Sequence, residues 1–294
     1  MAGNLLNIRI PIMRWTRTTR MATRLHHAPP SWPERPAGPR LQMESDVNKA
    51  LVIVKVGDAV AELIPDHGDY DAWIRDGFGP TRLPVRVVDP RVGEALPTAP
   101  GVAGVVVTGS DAMVTDRAGW SEATARWLAD IVAHRVPVLG ICYGHQLLAH
   151  ALGGMVIYHP AGKEIGTVPV EQTDIARDDP LFADLPERFP AHVVHSQTVA
   201  ILPPGAVILA SNDFEPHHAF RVGPSAWGVQ FHPEFSVAAT RACIVESERS
   251  LRLSGPDPAA LADAVTETPE ATSLLARFAR FVDDAQTPER PSDA

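Results

Sequence analysis

Pro137-Val138-Leu139-Gly140-Ile141-Cys142-Tyr143-Gly144-His145-Gln146-Leu147-Leu148-Ala149 is the stretch on which the reading of this chain turns. An apolar run enters a cysteine that has glycine two residues before and two after, then leaves into a segment of helical composition. The pattern is strand, sharp turn, helix, and places Cys142 on a nucleophile elbow. Strand and helix crowd the apex of such a turn, so the flanking positions must carry little bulk, which glycine satisfies. A cysteine at the apex stands at a helix N-terminus, whose unpaired N–H groups favour the thiolate. A buried cysteine that merely packs at a tight turn would give the same local pattern. What separates the two is whether the chain also supplies a base.

Ala226-Trp227-Gly228-Val229-Gln230-Phe231-His232-Pro233-Glu234-Phe235 reads as a short apolar strand running into a His-Pro-Glu triplet. Residues two apart in extended backbone point to the same side, so His232 and Glu234 are expected side by side. Pro233 fixes its own φ and biases His232 towards extended geometry. A carboxylate next to an imidazole sets its tautomer and supports its protonated form. The alternative is a surface strand end with a solvated histidine and glutamate.

Together the two segments resemble the class I (triad) glutamine amidotransferase family, in which a cysteine in a G-x-C-x-G-x-Q elbow works with the His and Glu of a downstream H-P-E. The resemblance spans roughly residues 50–250 and implies Cys142, His232 and Glu234 as the catalytic triad. Gly104-Val105-Val106-Val107-Thr108-Gly109-Ser110 is similar to the strand and turn of the family's oxyanion hole, implying that role for Gly109 with Tyr143. The resemblance also implies substrate binding by Ser110 and Gln146 and, through backbone contacts, by His195 and Ser196 of His195-Ser196-Gln197. His67-Gly68-Asp69-Tyr70 and Lys163-Glu164-Ile165-Gly166 are softer matches, similar to the glutaminase part of GMP synthase.

The pattern around these motifs alternates: strands at 50–56, 85–89 and 104–108, a helix at 121–134, a strand at 138–141, then the elbow helix ending at Gly153-Gly154. That order predicts an α/β fold, a flavodoxin-like open and mostly parallel sheet with flanking helices. Short segments at 166–170, 192–195, 206–210, 219–222 and 227–231 read as added strands, some antiparallel. Ser110, Cys142 and His232 each follow a predicted strand, where an open α/β sheet carries its site. Helical patterns at 237–253 and 271–282 follow, separated by Gly255-Pro256-Asp257-Pro258.

At 294 residues, 45% hydrophobic and 21% charged, the chain can bury a full core. Its net charge of -9 gives no footprint for nucleic acid, and no apolar run approaches the roughly 18 residues of a membrane span. Two cysteines, Cys142 and Cys243, without a secretory apolar segment ahead of them, suggest a reducing, cytoplasmic setting. Residues 1–45 differ in kind, with seven arginines in the first forty against the single acid Glu34 and with crowded prolines; a disordered leader is expected there, as transit peptide, loose tail, or sequence ahead of a true start at Met43. Residues 46–254 form the expected amidotransferase domain and 255–294 a helical extension with a disordered tail.

No metal or cofactor is expected. His145 and His150 are five apart and do not share a helix face at ligand spacing, and His217-His218 reads as a loop pair. Glu164 reads as a solvated charge or a substrate contact, Tyr70 and Trp73 as a packing cluster or the lining of a substrate approach, and Cys243 as a packing residue. The chemistry the resemblance implies is attack by Cys142 on the side-chain amide of glutamine. A self-contained γ-glutamyl hydrolase or peptidase acting on another γ-glutamyl compound, and a regulatory subunit without turnover, remain open beside it. The 60 residues after Glu234 are few for an ATP-dependent synthase and the chain has no G-x-x-x-x-G-K-[ST] loop, so any ammonia acceptor is expected to be a separate subunit.

Overall fold

The computed structural model describes residues 49–287; the expected leader and the last residues of the expected tail lie outside them. In chain order the main elements are β1 (Ala50–Val54), α1 (Ile64–His67), α2 (Tyr70–Phe78), β2 (Val85–Val88), β3 (Val102–Val107), α3 (Gly119–Ala133), β4 (Val138–Ile141), α4 (Tyr143–Ala151), β5 (Met155–Tyr158) and β6 (Glu164–Gln172). They continue with β7 (Arg188–His195), β8 (Gln197–Ile201), β9 (Ala206–Ser211), β10 (Ala219–Val222), β11 (Ala226–Val229), α5 (Val237–Glu246), α6 (Glu248–Ser254), α7 (Pro258–Asp263) and α8 (Pro269–Ala285).

Nine strands form one sheet in the order β2-β1-β3-β4-β11-β10-β9-β6-β7. The pairs from β2 to β11 are parallel, and those from β11 to β7 are antiparallel. The parallel half has the order of a flavodoxin-like sheet, with the reversal of direction between β1 and β3. Its inner strands β1, β3, β4 and β11 are apolar throughout because both faces are covered, while the edge strand β2 carries the exposed Arg86. Along β1, Leu51 and Ile53 enter one core while Val52 and Val54 enter the other, the alternation a pleated strand imposes. α2 and α8 cover the first face through Ile74, Phe78, Leu274, Leu275 and Phe278; α3 and α4 cover the second through Leu128, Ile131, Leu147 and Leu148.

The expected strands are found, with several differences elsewhere: α1 and α2 fill a stretch expected to lie between elements, and α7 starts at Pro258, within the expected break. A two-stranded antiparallel pair, β5 with β8, is not foreshadowed in the sequence; only one of the four β5 residues is buried, so the apolar signal is thin. The helical pattern over 237–253 is two helices that meet at Ser247, which closes α5 and opens α6. The C-terminal segment is more than an appendage: α8 places Leu274, Leu275, Phe278 and Val282, all fully buried, in the main core. Among the described residues no helix is long and apolar enough to cross a membrane.

Candidate active site

β4 and β11 lie side by side in parallel, with Gly140 opposite Gly228 and Ile141 opposite Val229. Their ends therefore deliver Cys142 and His232 to the same edge of the sheet. Cys142 caps the first turn of α4 at φ 50°, ψ −101°, a conformation unusual for a residue with a side chain. Its N–H donates to Val229 O at 2.8 Å, which ties the elbow to the neighbouring strand. The two glycines are required by packing: a Cβ on Gly140 would lie 2.5 Å from Gly144 C, and one on Gly144 would lie 2.5 Å from Val107 O. Strand, turn and helix thus close on each other to backbone contact.

His232 and Glu234 flank Pro233 not in the expected extended chain but in a turn, closed by Phe235 N–H donating to His232 O at 3.4 Å, because β11 ends at Val229. His232 Nδ1 and Glu234 Oε1 are 2.7 Å apart and both side chains are buried. The His232 N–H donates to His192 O at 2.8 Å, anchoring the triplet to β7. Burial by itself would push the imidazole pKa down; the Glu234 carboxylate and the Cys142 sulfur outweigh it and raise it to about 10. The site thus favours an imidazolium facing sulfur. Phe235, which no motif in the sequence singles out, stacks on the His232 ring at 3.9 Å between centroids. Tyr70 stacks on Phe235 and Trp73 meets it edge-on, the expected packing cluster, of which Tyr70, but not Trp73, lines the same cavity as Cys142.

Tyr70 reaches the cavity because of the residues before it. Gly68 takes φ 78°, and Asp69 then caps α2, accepting from the N–H groups of Tyr70 and Ala59 at 2.7 Å each. Lys55, just beyond β1, clamps Asp69 at 2.6 Å and Asp58 at 3.0 Å.

The cavity, about 190 Å³, has Cys142 and His232 in its wall with Tyr70, Ser110, Val194 and Phe235. Cys142 Sγ lies 3.5 Å from Val194 O. Gly109 is packed so tightly that a Cβ there would sit 2.9 Å from His232 Cε1 and 3.8 Å from Cys142 Cβ. Tyr143 opens α4 with its backbone beside Cys142, while its buried hydroxyl is 2.6 Å from Ser121 Oγ. As the first residue of α4 it offers an N–H with no intrahelical acceptor.

Three of the residues expected at the substrate have groups engaged within the fold. Gln146 is buried and turned into a polar network, donating to Gln197 O at 3.0 Å and Gln230 Oε1 at 2.9 Å. The His195 ring is also buried, with Nε2 2.9 Å from Glu164 Oε2 and Nδ1 3.0 Å from Gln197 O. Ser196 uses its carbonyl to accept from His159 N at 2.8 Å. Val194, next to last in β7, is the residue of this stretch that lines the cavity. The signal that could have marked Gln146 and His195 is their apolar setting, before Leu147-Leu148-Ala149 and after Val193-Val194, where side-chain amides and imidazoles need internal partners.

Glu164 is neither solvated nor at the cavity. It is buried among His195, His218 at 3.4 Å and Asn212 at 2.8 Å. Burial would raise its carboxyl pKa, but His195 and His218 hold it below the usual range. Cys243 is buried in a small cluster with Phe235 and Ile244, and it also faces the cavity. Burial, then the Glu246 and Asp111 charges, push its thiol up to about 12, which leaves it neutral and a poor nucleophile. Among the described residues no group of three or more His, Cys, Asp or Glu side chains could hold a metal ion.

Comparison with known proteins agrees with this architecture. The profile of the class I glutamine amidotransferases matches residues 63–248, more than half of the chain. One of the subunits of a glutamine-hydrolysing GMP synthase from Methanopyrus kandleri is 31% identical over 173 residues, 58% of this chain and 87% of the relative. A glutamine-hydrolysing GMP synthase from Thermosipho africanus is 34% identical over 134 residues, 45% of this chain, and here the chain spans only 24% of the relative's length. A solved glutamine amidotransferase from Thermotoga maritima superposes with a TM-score of 0.63 at 22% identity, covering 79% of this chain and 98% of that one, a likeness of fold.

Proposed function

The chain belongs to the class I glutamine amidotransferase family, and from that premise we propose that it hydrolyses the side-chain amide of glutamine with Cys142 as nucleophile, His232 as acid and base, and Glu234 as the group that orients His232. The observation that carries the reading is the buried chain of Glu234, His232 and Cys142 at one cavity, with His232 biased towards its protonated form.

Cys142 Sγ attacks the amide carbon, and the C=O electron pair moves to oxygen. N–H groups at Tyr143 and Gly109 receive that oxyanion; losing one such donor costs about 3–4 kcal/mol of barrier. As the tetrahedral adduct collapses, His232 gives its proton to the departing nitrogen and the C–N bond breaks, releasing ammonia and leaving a γ-glutamyl thioester. Neutral His232 then takes a proton from water as it attacks the thioester carbon. Collapse breaks the C–S bond and yields glutamate, the sulfur leaving as thiolate opposite the restored imidazolium. Phe235, flat against the ring, limits its rotation through these transfers.

The Methanopyrus kandleri relative is named as one part of a multi-subunit synthase, so a separate protein that consumes the ammonia belongs to this proposal. The test is a panel of glutamine and other γ-glutamyl compounds, with product release measured for wild type and Cys142→Ala, alone and with candidate synthase subunits. Glutamine turnover that needs Cys142 and rises with a partner supports the proposal. A much higher kcat/KM on γ-glutamyl peptides or amines would make the chain a self-contained γ-glutamyl hydrolase instead, and absence of Cys142-dependent turnover on any member would make it a regulatory protein without chemistry of its own.

A further inference from the structure

The cavity that Cys142 and His232 line also takes charged residues from three elements. Asp111 comes from the loop after β3, Lys163 from the turn ahead of β6, and Glu246 from the last residue of α5. Lys163 Nζ is 3.1 Å from Ser247 Oγ, so the lysine is held across the cavity's edge against the α5–α6 junction. Burial raises the Glu246 carboxyl above its ordinary pKa; the charges of Asp111 and Glu62 add to this, and Lys163 acts against it. Two carboxylates therefore face one space and repel each other, with one ammonium beside them. That arrangement is relieved by a ligand bringing one positive and one negative group. The volume, about 190 Å³, is roughly six times a water's share of the liquid, room for one amino acid of glutamine's size.

We propose that Lys163, Asp111 and Glu246 are specificity-determining residues that read the amino-acid head of the substrate, Lys163 Nζ taking the α-carboxylate while the Asp111 and Glu246 carboxylates take the α-ammonium. This rests on the reading of Cys142 as the attacking group, because that fixes which end of the substrate enters first. With the side-chain amide at Cys142 Sγ, the head of a γ-glutamyl compound is the part left to meet the other residues that line the cavity. The consequence is a requirement for a free α-amino group: γ-glutamyl compounds with an unblocked head are substrates, and amides that lack either charge are poor ones.

The experiment is protection of Cys142 against iodoacetamide, followed by peptide mass spectrometry, which needs neither a partner protein nor turnover. Three amides compete: glutamine, glutaramate without the ammonium, and γ-aminobutyramide without the carboxylate. For wild type, glutamine should protect at concentrations about tenfold or more below those of both truncated amides. In Asp111→Asn combined with Glu246→Gln, the preference for glutamine over glutaramate should collapse while that over γ-aminobutyramide persists. Lys163→Met should do the reverse. If glutamine protects wild type but the variants keep both preferences, or lose both alike, the assignment of the head-group residues is wrong and the functional reading stands. If glutamine gives no protection while another γ-glutamyl compound does, and the variants still split as described, the glutamine reading fails and the head-group assignment survives. No protection by any compound carrying the amino-acid head overturns the inference.

Discussion

Gly144→Ala tests the reading of the elbow at a single methyl group. A Cβ on Gly144 would stand 2.5 Å from Val107 O, 2.9 Å from Val107 Cβ and 3.0 Å from Val107 C, where ordinary contact begins at 3.4 Å. The carbonyl belongs to β3 and no side-chain rotation can remove it, so α4 must move off the sheet by about 0.9 Å. Overpacking of a core costs about 1–3 kcal/mol, and a clash against backbone belongs at the upper end. The displaced helix carries Cys142 with it, and a misplacement on the order of 1 Å can cost about 10²-fold in rate. Urea unfolding reads the first quantity and glutamine turnover the second. Gly119→Ala is the control, since a Cβ there meets nothing within 4 Å at the start of α3; its stability should stay within about 0.5 kcal/mol of wild type. A Gly144→Ala protein with the unfolding midpoint and turnover of wild type would refute the idea that close approach of strand and helix dictates the glycine.

Asp179 accepts from Arg221 Nε at 2.8 Å, Trp227 Nε1 at 3.1 Å and Leu181 N at 2.9 Å while fully buried, so Asp179→Ala should cost about 3–5 kcal/mol in urea unfolding. Acid should destabilise the fold early. Burial lowers the pKa of His145 to about 3, and burial followed by repulsion from His232 lowers that of His192 to about 4. Both are neutral in the fold and take up a proton on unfolding below their ordinary value of 6.5, so stability present above that pH is lost as pH falls towards the folded values. Each contributes a slope of about 1.4 kcal/mol per pH unit in that window, and His145→Leu should remove one such slope from a plot of unfolding free energy against pH. Glu234→Gln removes the charge that supports the His232 imidazolium; kcat should fall by about 10²-fold or more, with the pH profile of Cys142 alkylation displaced relative to wild type.

Much of this protein can be read from its sequence because its strands are apolar and its breaks are chemical. β4 and β10 match their expected bounds to the residue, since Pro137 and Gly223 mark their limits. The pair His232 and Glu234 is legible because a two-residue spacing keeps them neighbours, although a turn and not the expected extended chain brings them together. What escapes such reading depends on contacts across the fold. Phe235 is one aromatic among nine phenylalanines until the sheet turns it onto His232. The break at Ser247 has no glycine or proline to announce it, and Lys163 reaches that junction from far away in sequence. Gln146 and His195 carry the family motif, yet their side chains satisfy a buried polar network, which no spacing rule could distinguish from a substrate contact.

Two cysteines face the cavity, and the proposed chemistry belongs to one of them. The decisive measurement is glutamate and ammonia release from glutamine by wild type, Cys142→Ala and Cys243→Ala, with mass spectrometry locating the residue modified by an electrophilic glutamine analogue. The expected result is label on Cys142, no turnover in Cys142→Ala and turnover that survives in Cys243→Ala. Label on Cys243, with activity lost in Cys243→Ala and kept in Cys142→Ala, would overturn the assignment of the nucleophile.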